Sequence, residues 1–193
     1  MPETRFHFEQ NQGVRILRLC SGDGTNRLTR ECVRSLHSAL SQFASEPIPL
    51  VVTGNRQFFS TGADLAEIAA LDGPSACAFS KAGQALMTAI EGFPAPVYAA
   101  ISGYCMGGGL DLALACQRRI AAPNAVFGHR GAALGLITGW GGTQRLPRLI
   151  GRGWSLEMFV AAEKITALDA LRVGLIDAVA DDPVAEAIRR IRS

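Results

Sequence analysis

Much that would settle the function of this 193-residue chain at once is missing from it. There is little charge of either sign to spare: the formal net charge is +2, too small to argue for nucleic acid or an anionic membrane as partner. No apolar run is long enough to span a bilayer. The N-terminus carries Glu3, His7 and Glu9 among its apolar residues, which does not fit a signal peptide. The five cysteines, Cys20, Cys32, Cys77, Cys105 and Cys116, are scattered, odd in number and form no CxxC pair, so neither a disulfide frame nor a zinc site is expected. We read them as small core residues in a reducing compartment, and the chain as soluble and cytoplasmic. No GxGxxG follows a strand, and neither GxxxxGK[ST] nor a GxSxG nucleophile elbow occurs. No His, Cys and carboxylate cluster has metal-ligand spacing.

What remains is a core-rich sequence, 48% apolar with a mean hydropathy of +0.18, whose length argues for a single domain. Residues 4–9 and Val14–Cys20 alternate polar and apolar as strands, and Asn11-Gln12-Gly13 between them reads as a hairpin turn. In the second strand, Val14 and Ile16 against Leu17 and Leu19 leave the register ambiguous. A helix is expected from Thr29, its N-cap, to Ala44, with Val33, Leu36, Leu40 and Phe43 on one face. Ile48 to Thr53 reads as a strand covered on both faces. A short helix over 65–70 and a longer one capped by Ser75 and running to about Glu91 follow. Strands at 97–101, 118–121 and 125–128, helices at about 143–150, 154–162 and 167–172, and a last helix from Val184 to Ile191 complete the pattern. Alternating strands and helices predict an α/β fold with a largely parallel sheet.

Two stretches carry the chemistry. In the first, the apolar strand Val97–Ile101 runs through Ser102-Gly103-Tyr104-Cys105-Met106 into Gly107-Gly108-Gly109 and a buried helix. Glycines there bare the N–H groups of a helix N-terminus, which lack intrahelical partners and lie at the positive end of the helix dipole. The second is the loop Ser60-Thr61-Gly62-Ala63-Asp64-Leu65, which also leads from a strand into a helix. Ligands of α/β sheets bind outside the carboxyl ends of strands. Two amides converging there would make an oxyanion hole for a carbonyl that gains enolate character. Arg145, Arg148, Arg152, Arg189, Arg190 and Arg192 read as a solvated basic face, with a docking surface for a phosphorylated ligand as the alternative.

These two stretches, together with Gly141-Gly142-Thr143-Gln144-Arg145-Leu146-Pro147-Arg148 and the segment Ala161 to Val179, resemble the enoyl-CoA hydratase/isomerase (crotonase) family over nearly the whole chain. The resemblance implies a spiral of ββα turns forming two nearly perpendicular sheets flanked by helices. It implies a homotrimer or hexamer and an acyl-CoA thioester substrate, with no cofactor beyond the coenzyme A of that substrate. The N–H groups of Ala63 and Gly108 would hold the thioester oxygen, and Asp111, three residues on, would stand where the family has an acid/base glutamate. Thr61, Gly62, Asp64, Leu65, Gly107, Gly131 and Trp140 would line the substrate site. The second glutamate of the family falls at Gly131, which cannot move a proton. His129 and Arg130 lie beside it, and we read His129 as a surface or supporting residue. Residues 1–180 would form the core domain and 181–193 the start of a shortened C-terminal helical region. The function implied is an enoyl-CoA hydratase/isomerase-like lyase of fatty acid metabolism. An acyl-CoA decarboxylase or hydrolase, or a catalytically silent acyl-CoA-binding subunit, are the alternatives.

Overall fold

The computed structural model describes residues 5–193; Thr4, the first residue of the expected opening strand, lies outside them. The opening hairpin pairs β1 (Arg5–Asn11) with β2 (Val14–Cys20) in antiparallel register, Asn11 facing Val14. The two residues left between them, Gln12 and Gly13, both have positive φ (53° and 80°), the conformation that a tight hairpin turn demands. The ambiguity in β2 resolves because both its faces are covered. Leu17 and Leu19 enter the main core, while Val14 and Ile16 pack in a second, smaller cluster with Ala187 and Ile188.

After the two-residue β3 (Arg27–Leu28) comes α1 (Arg30–Phe43), capped as expected by the Thr29 hydroxyl, which accepts from Cys32 N. Next is β4 (Leu50–Thr53), fully buried. It begins two residues later than the apolar run suggests, and Pro49, which has no N–H to give to a ladder, stands immediately before it. Then come β5 (Phe58–Ser60), β6 (Gly62–Ala63), α2 (Leu65–Ala69) and α3 (Gly73–Glu91). Asp72, rather than Ser75, caps α3; its carboxylate accepts from Ser75 N while the Ser75 hydroxyl accepts from Asp72 N, a reciprocal box. The chain continues through β7 (Val97–Ile101), β8 (Tyr104–Met106), α4 (Gly108–Ala115), β9 (Arg118–Ala121) and β10 (Val126–Gly128). A 3-10 turn follows at Gly131–Leu134, then α5 (Gly142–Ile150), α6 (Arg152–Val160), β11 (Ile165–Thr166), α7 (Ala167–Arg172), β12 (Ala178–Val179) and α8 (Pro183–Arg192).

The order of pairing shows how the chain winds. The six-stranded sheet runs β1-β2-β4-β7-β9-β12 and the four-stranded sheet β11-β10-β8-β5, with β3 and β6 paired beside them. Each successive turn adds one strand to the larger sheet and one to the smaller: β4 with β5, β7 with β8, β9 with β10. From β2 to β12 every pairing in the larger sheet is parallel. The main core fills the space between the sheets and α1, α3 and α4, around Phe59, Leu86, Met87, Leu110 and Phe127, none more than 1% exposed. Among the described residues no helix is long and apolar enough to cross a membrane.

Candidate active site

The two stretches singled out above meet. Immediately after β6, Asp64 N donates to Leu28 O of β3. Because successive residues of a strand face opposite sides, the Ala63 N–H is turned away from β3. Opposite it, α4 opens at Gly108 behind Gly107, an N-cap with φ 50°, ψ −121° and no side chain to cap the helix. Gly62 has φ 91°, and a Cβ there would lie 2.8 Å from Gly108 N. A Cβ on Gly108 would lie 3.3 Å from Ala63 N. Only glycine at both places lets the backbones come this close, so the Ala63 and Gly108 amide nitrogens lie near one another, the second at the positive end of α4.

Both residues border a cavity of about 460 Å³. Leu65, Ile68, Leu71, Phe79, Leu134, Leu136, Ile137 and Phe159 give it an apolar wall, and Thr61, Ala63, Gly107, Gly108, Asp111, His129, Gly131 and Trp140 complete the end nearest the amides. Trp140 is 4% exposed. Its ring lies against Gly83 and Gly108, where any Cβ would run into it, and meets Phe79 edge to face at 5.2 Å. Two of the expected lining residues lie behind the wall. Gly62 is buried against Met106 O and Gly108 N. Asp64 is the N-cap of α2, accepting from Ala66 N and Glu67 N.

Asp111, in the first turn of α4, is 1% exposed. Its Oδ2 accepts from the Thr138 hydroxyl. Burial pushes its carboxyl up to about 7 from 3.8, against the pull of Thr138, Arg145 and the Gly142 N–H, all of which favour the charged form. Its Oδ1 faces His129 Nε2 at 3.4 Å, and neither atom holds an aligned hydrogen bond.

His129 is therefore not a surface residue. It follows directly on β10, is 4% exposed and packs against the Phe159 ring, tilted, with centroids 5.0 Å apart. Burial pushes its pKa down to about 4, so its imidazole is neutral at pH 7. Gly142 makes the pairing possible: a Cβ there would strike Asp111 Oδ1 and lie 3.0 Å from His129 Nε2. The signal available in the sequence was the phase of β10. Val126 is half-buried while Phe127, Gly128 and His129 are buried in succession, but nothing local announced that α6 would cover the ring.

Gly131 lines the cavity, yet its backbone is closed on its own turn. Leu136 N donates to Gly131 O at 2.9 Å, and a Cβ on Gly131 would lie 2.8 Å from Leu136 O. The arginines expected as one solvated face divide. Arg145 is turned inward, its guanidinium donating to Glu91 and to Trp140 O, whereas Arg189 and Arg190 pair with Glu186 on α8. The cysteines are all free, but Cys77 is exposed and Cys20 only half-buried rather than in the core.

A spiral of strand pairs that brings two backbone amides to the mouth of an apolar cavity is the architecture of the crotonase fold. The chain belongs to the enoyl-CoA hydratase/isomerase family, which matches it over residues 9–192. It is 40% identical over 171 residues, 87% of its length, to a Bacillus subtilis (strain 168) protein named "Probable enoyl-CoA hydratase". It is 36% identical over 89% of its length to crotonyl-CoA hydratase of Syntrophomonas wolfei. These matches span 66% and 67% of the two relatives. Among solved structures, Pseudomonas aeruginosa DspI superposes with a TM-score of 0.92 at 33% identity, covering 97% of this chain and 78% of that one. The Bacillus anthracis enoyl-CoA hydratase superposes at 0.91 and 33%, covering 97% and 75%.

Proposed function

We propose that this chain acts on enoyl-CoA thioesters as a hydratase/isomerase-type enzyme. The observation that carries the reading is the close approach of the Ala63 and Gly108 amides beside Asp111 at one end of an apolar cavity. The cavity wall suits an acyl chain. The amides suit a thioester oxygen that becomes an enolate oxygen, the kind of developing charge for which fixed donors are worth most. Asp111, protonated or ionised near neutrality, suits proton delivery and removal. No group beyond the coenzyme A of the substrate is needed for this chemistry. The relatives named as enoyl-CoA and crotonyl-CoA hydratases support the same substrate class.

The proposal extends to a cytoplasmic homotrimer or hexamer. Free cysteines suit a reducing compartment, and the exposed Trp154, Leu156, Val160, Leu168 and Leu171 on α6 and α7 suit burial against another copy.

The test is hydration of crotonyl-CoA, followed by loss of the conjugated thioester absorbance. Turnover well above buffer is expected, and a chain that neither binds nor hydrates it refutes the reading. Restoring a carboxylate by Gly131→Glu is expected not to raise the rate. Its Cβ meets the Leu136 carbonyl, a backbone atom that cannot swing aside, so the turn Gly131–Leu136 must open. The expected penalty is about 1–3 kcal/mol in a urea melt, and a faster variant of unchanged stability would show that the turn yields.

A further inference from the structure

We infer that His129 is the second catalytic residue, forming with Asp111 a pair that shares one proton and does the work expected of two carboxylates. The inference rests on the enoyl-CoA reading above.

Four observations carry it. Both side chains line the cavity at the end where the Ala63 and Gly108 amides lie near one another. The facing atoms, Asp111 Oδ1 and His129 Nε2, are 3.4 Å apart. Each is buried without an aligned hydrogen bond of its own, an expensive arrangement that calls for an explanation. Finally, Gly142 holds its backbone where any side chain would part them.

The other groups facing the pair set its charge. Arg145 and the Gly142 N–H of α5 and the Thr138 hydroxyl act on Asp111. From α6 comes the Phe159 ring, and from β8 the Cys105 thiol, which burial keeps neutral. Burial outweighs the charge of Arg145, and the pair favours a net neutral state: a carboxylic acid on Asp111 beside a neutral imidazole.

From that state the step balances. The His129 imidazole takes a proton from water as the water oxygen bonds to the β-carbon. The π electrons of the C=C bond move onto the thioester, and the enolate oxygen is held by the two amides. The enolate then re-forms its C=O bond while the α-carbon takes the proton of Asp111. This leaves an imidazolium and a carboxylate, and one proton passing from Nε2 to Oδ1 restores both. The elements of water have been added across the double bond and the protein is unchanged.

The test uses crotonyl-CoA and four variants, His129→Gln, His129→Ala, Asp111→Asn and the double variant of the first and third. His129→Gln is expected to lower kcat at least 100-fold with KM within threefold of wild type. His129→Ala is expected to fall as far and to regain at least tenfold on addition of free imidazole, which a purely structural role would not produce. The double variant Asp111→Asn with His129→Gln is expected to be no slower than the slower single variant, because the two act as one unit. Circular dichroism and a melting curve establish that each variant is folded. A folded His129→Gln with kcat within threefold of wild type overturns the inference, as does a folded His129→Ala indifferent to imidazole. Either result leaves the enoyl-CoA reading standing. A wild-type chain that binds crotonyl-CoA but does not hydrate it overturns the pair and leaves thioester binding in place, whereas one that binds no acyl-CoA removes both.

Discussion

Gly108→Ala is expected to lower kcat for crotonyl-CoA hydration by about 100- to 1000-fold, the loss typical of one oxyanion donor. The reason is space rather than charge. The added Cβ would lie 3.3 Å from Ala63 N, within the gap that the two amides enclose, and would run into the Trp140 ring. An oxygen seated between the amides and a methyl group there exclude one another. Trp140 cannot easily give way, since Gly83 lies against its ring and Phe79 meets it edge to face. Alanine is a better helix former than glycine, so α4 itself has no reason to unfold. The measurement is steady-state kinetics with the melting temperature beside it. A folded Gly108→Ala that keeps its rate would show that the oxygen binds elsewhere, and the amide pair would lose its role.

The glycine mouth of α4 was accessible from residues alone because its parts are local, whereas its approach to Ala63 and Trp140 was not. A strand, a glycine run and a helix lie within twenty residues of one another, and the turn chemistry names the glycines. The same holds for the hairpin at Gln12-Gly13 and for the Thr29 cap. The short strands Phe58–Ser60 and Tyr104–Met106 were not legible. Three residues carry no period, and these exist as strands because each pairs with a partner more than twenty residues away. The start of α3 was missed by three residues because Asp72 and Ser75 are both good caps, and only the reciprocal box decides between them.

The deeper miss is at the site itself. Gly131 read as a carboxylate lost, which left Asp111 alone. The structure shows the position closed on Leu136 and the neighbouring His129 drawn inward instead. What draws it in is Phe159, thirty residues later, together with the gap at Gly142; both are tertiary facts. A polar side chain two residues from an expected catalytic position is thus weak evidence in sequence and strong evidence once its burial is known. The chemistry follows from a buried acid and a buried base whose pKa values burial moves in opposite senses, the arrangement by which sites place acid and base roles.

Asp111→Asn is the prediction that separates this chemistry from packing, because it moves activity and stability in opposite directions. Asparagine keeps the shape and can still meet Thr138, but it carries no proton to deliver. The expected loss in kcat is about 100- to 10,000-fold. Stability should rise at alkaline pH. The carboxyl titrates at about 7 in the folded chain and at 3.8 when unfolded, so over the interval between, the native state holds a proton that the unfolded state has released. The contribution of Asp111 is therefore fully present below 3.8 and is lost as pH rises through 7. His129 has the opposite sign: folded about 4, unfolded 6.5, its contribution is present above 6.5 and is lost as pH falls through 4. Between these limits the two slopes cancel in the wild type. At pH 8 the wild type carries an ionised, buried Asp111, and Asp111→Asn should be more stable by roughly 2–4 kcal/mol, the scale set by a three-unit shift. Toward pH 4 the advantage should vanish, leaving the variant with the unopposed acid sensitivity of His129. Urea melts of both proteins from pH 4 to 8 read the difference, in which the exposed carboxylates common to both drop out. A variant no more stable than wild type at pH 8 would mean that Asp111 is comfortable as a carboxylate, and proton delivery would then have to come from His129 alone.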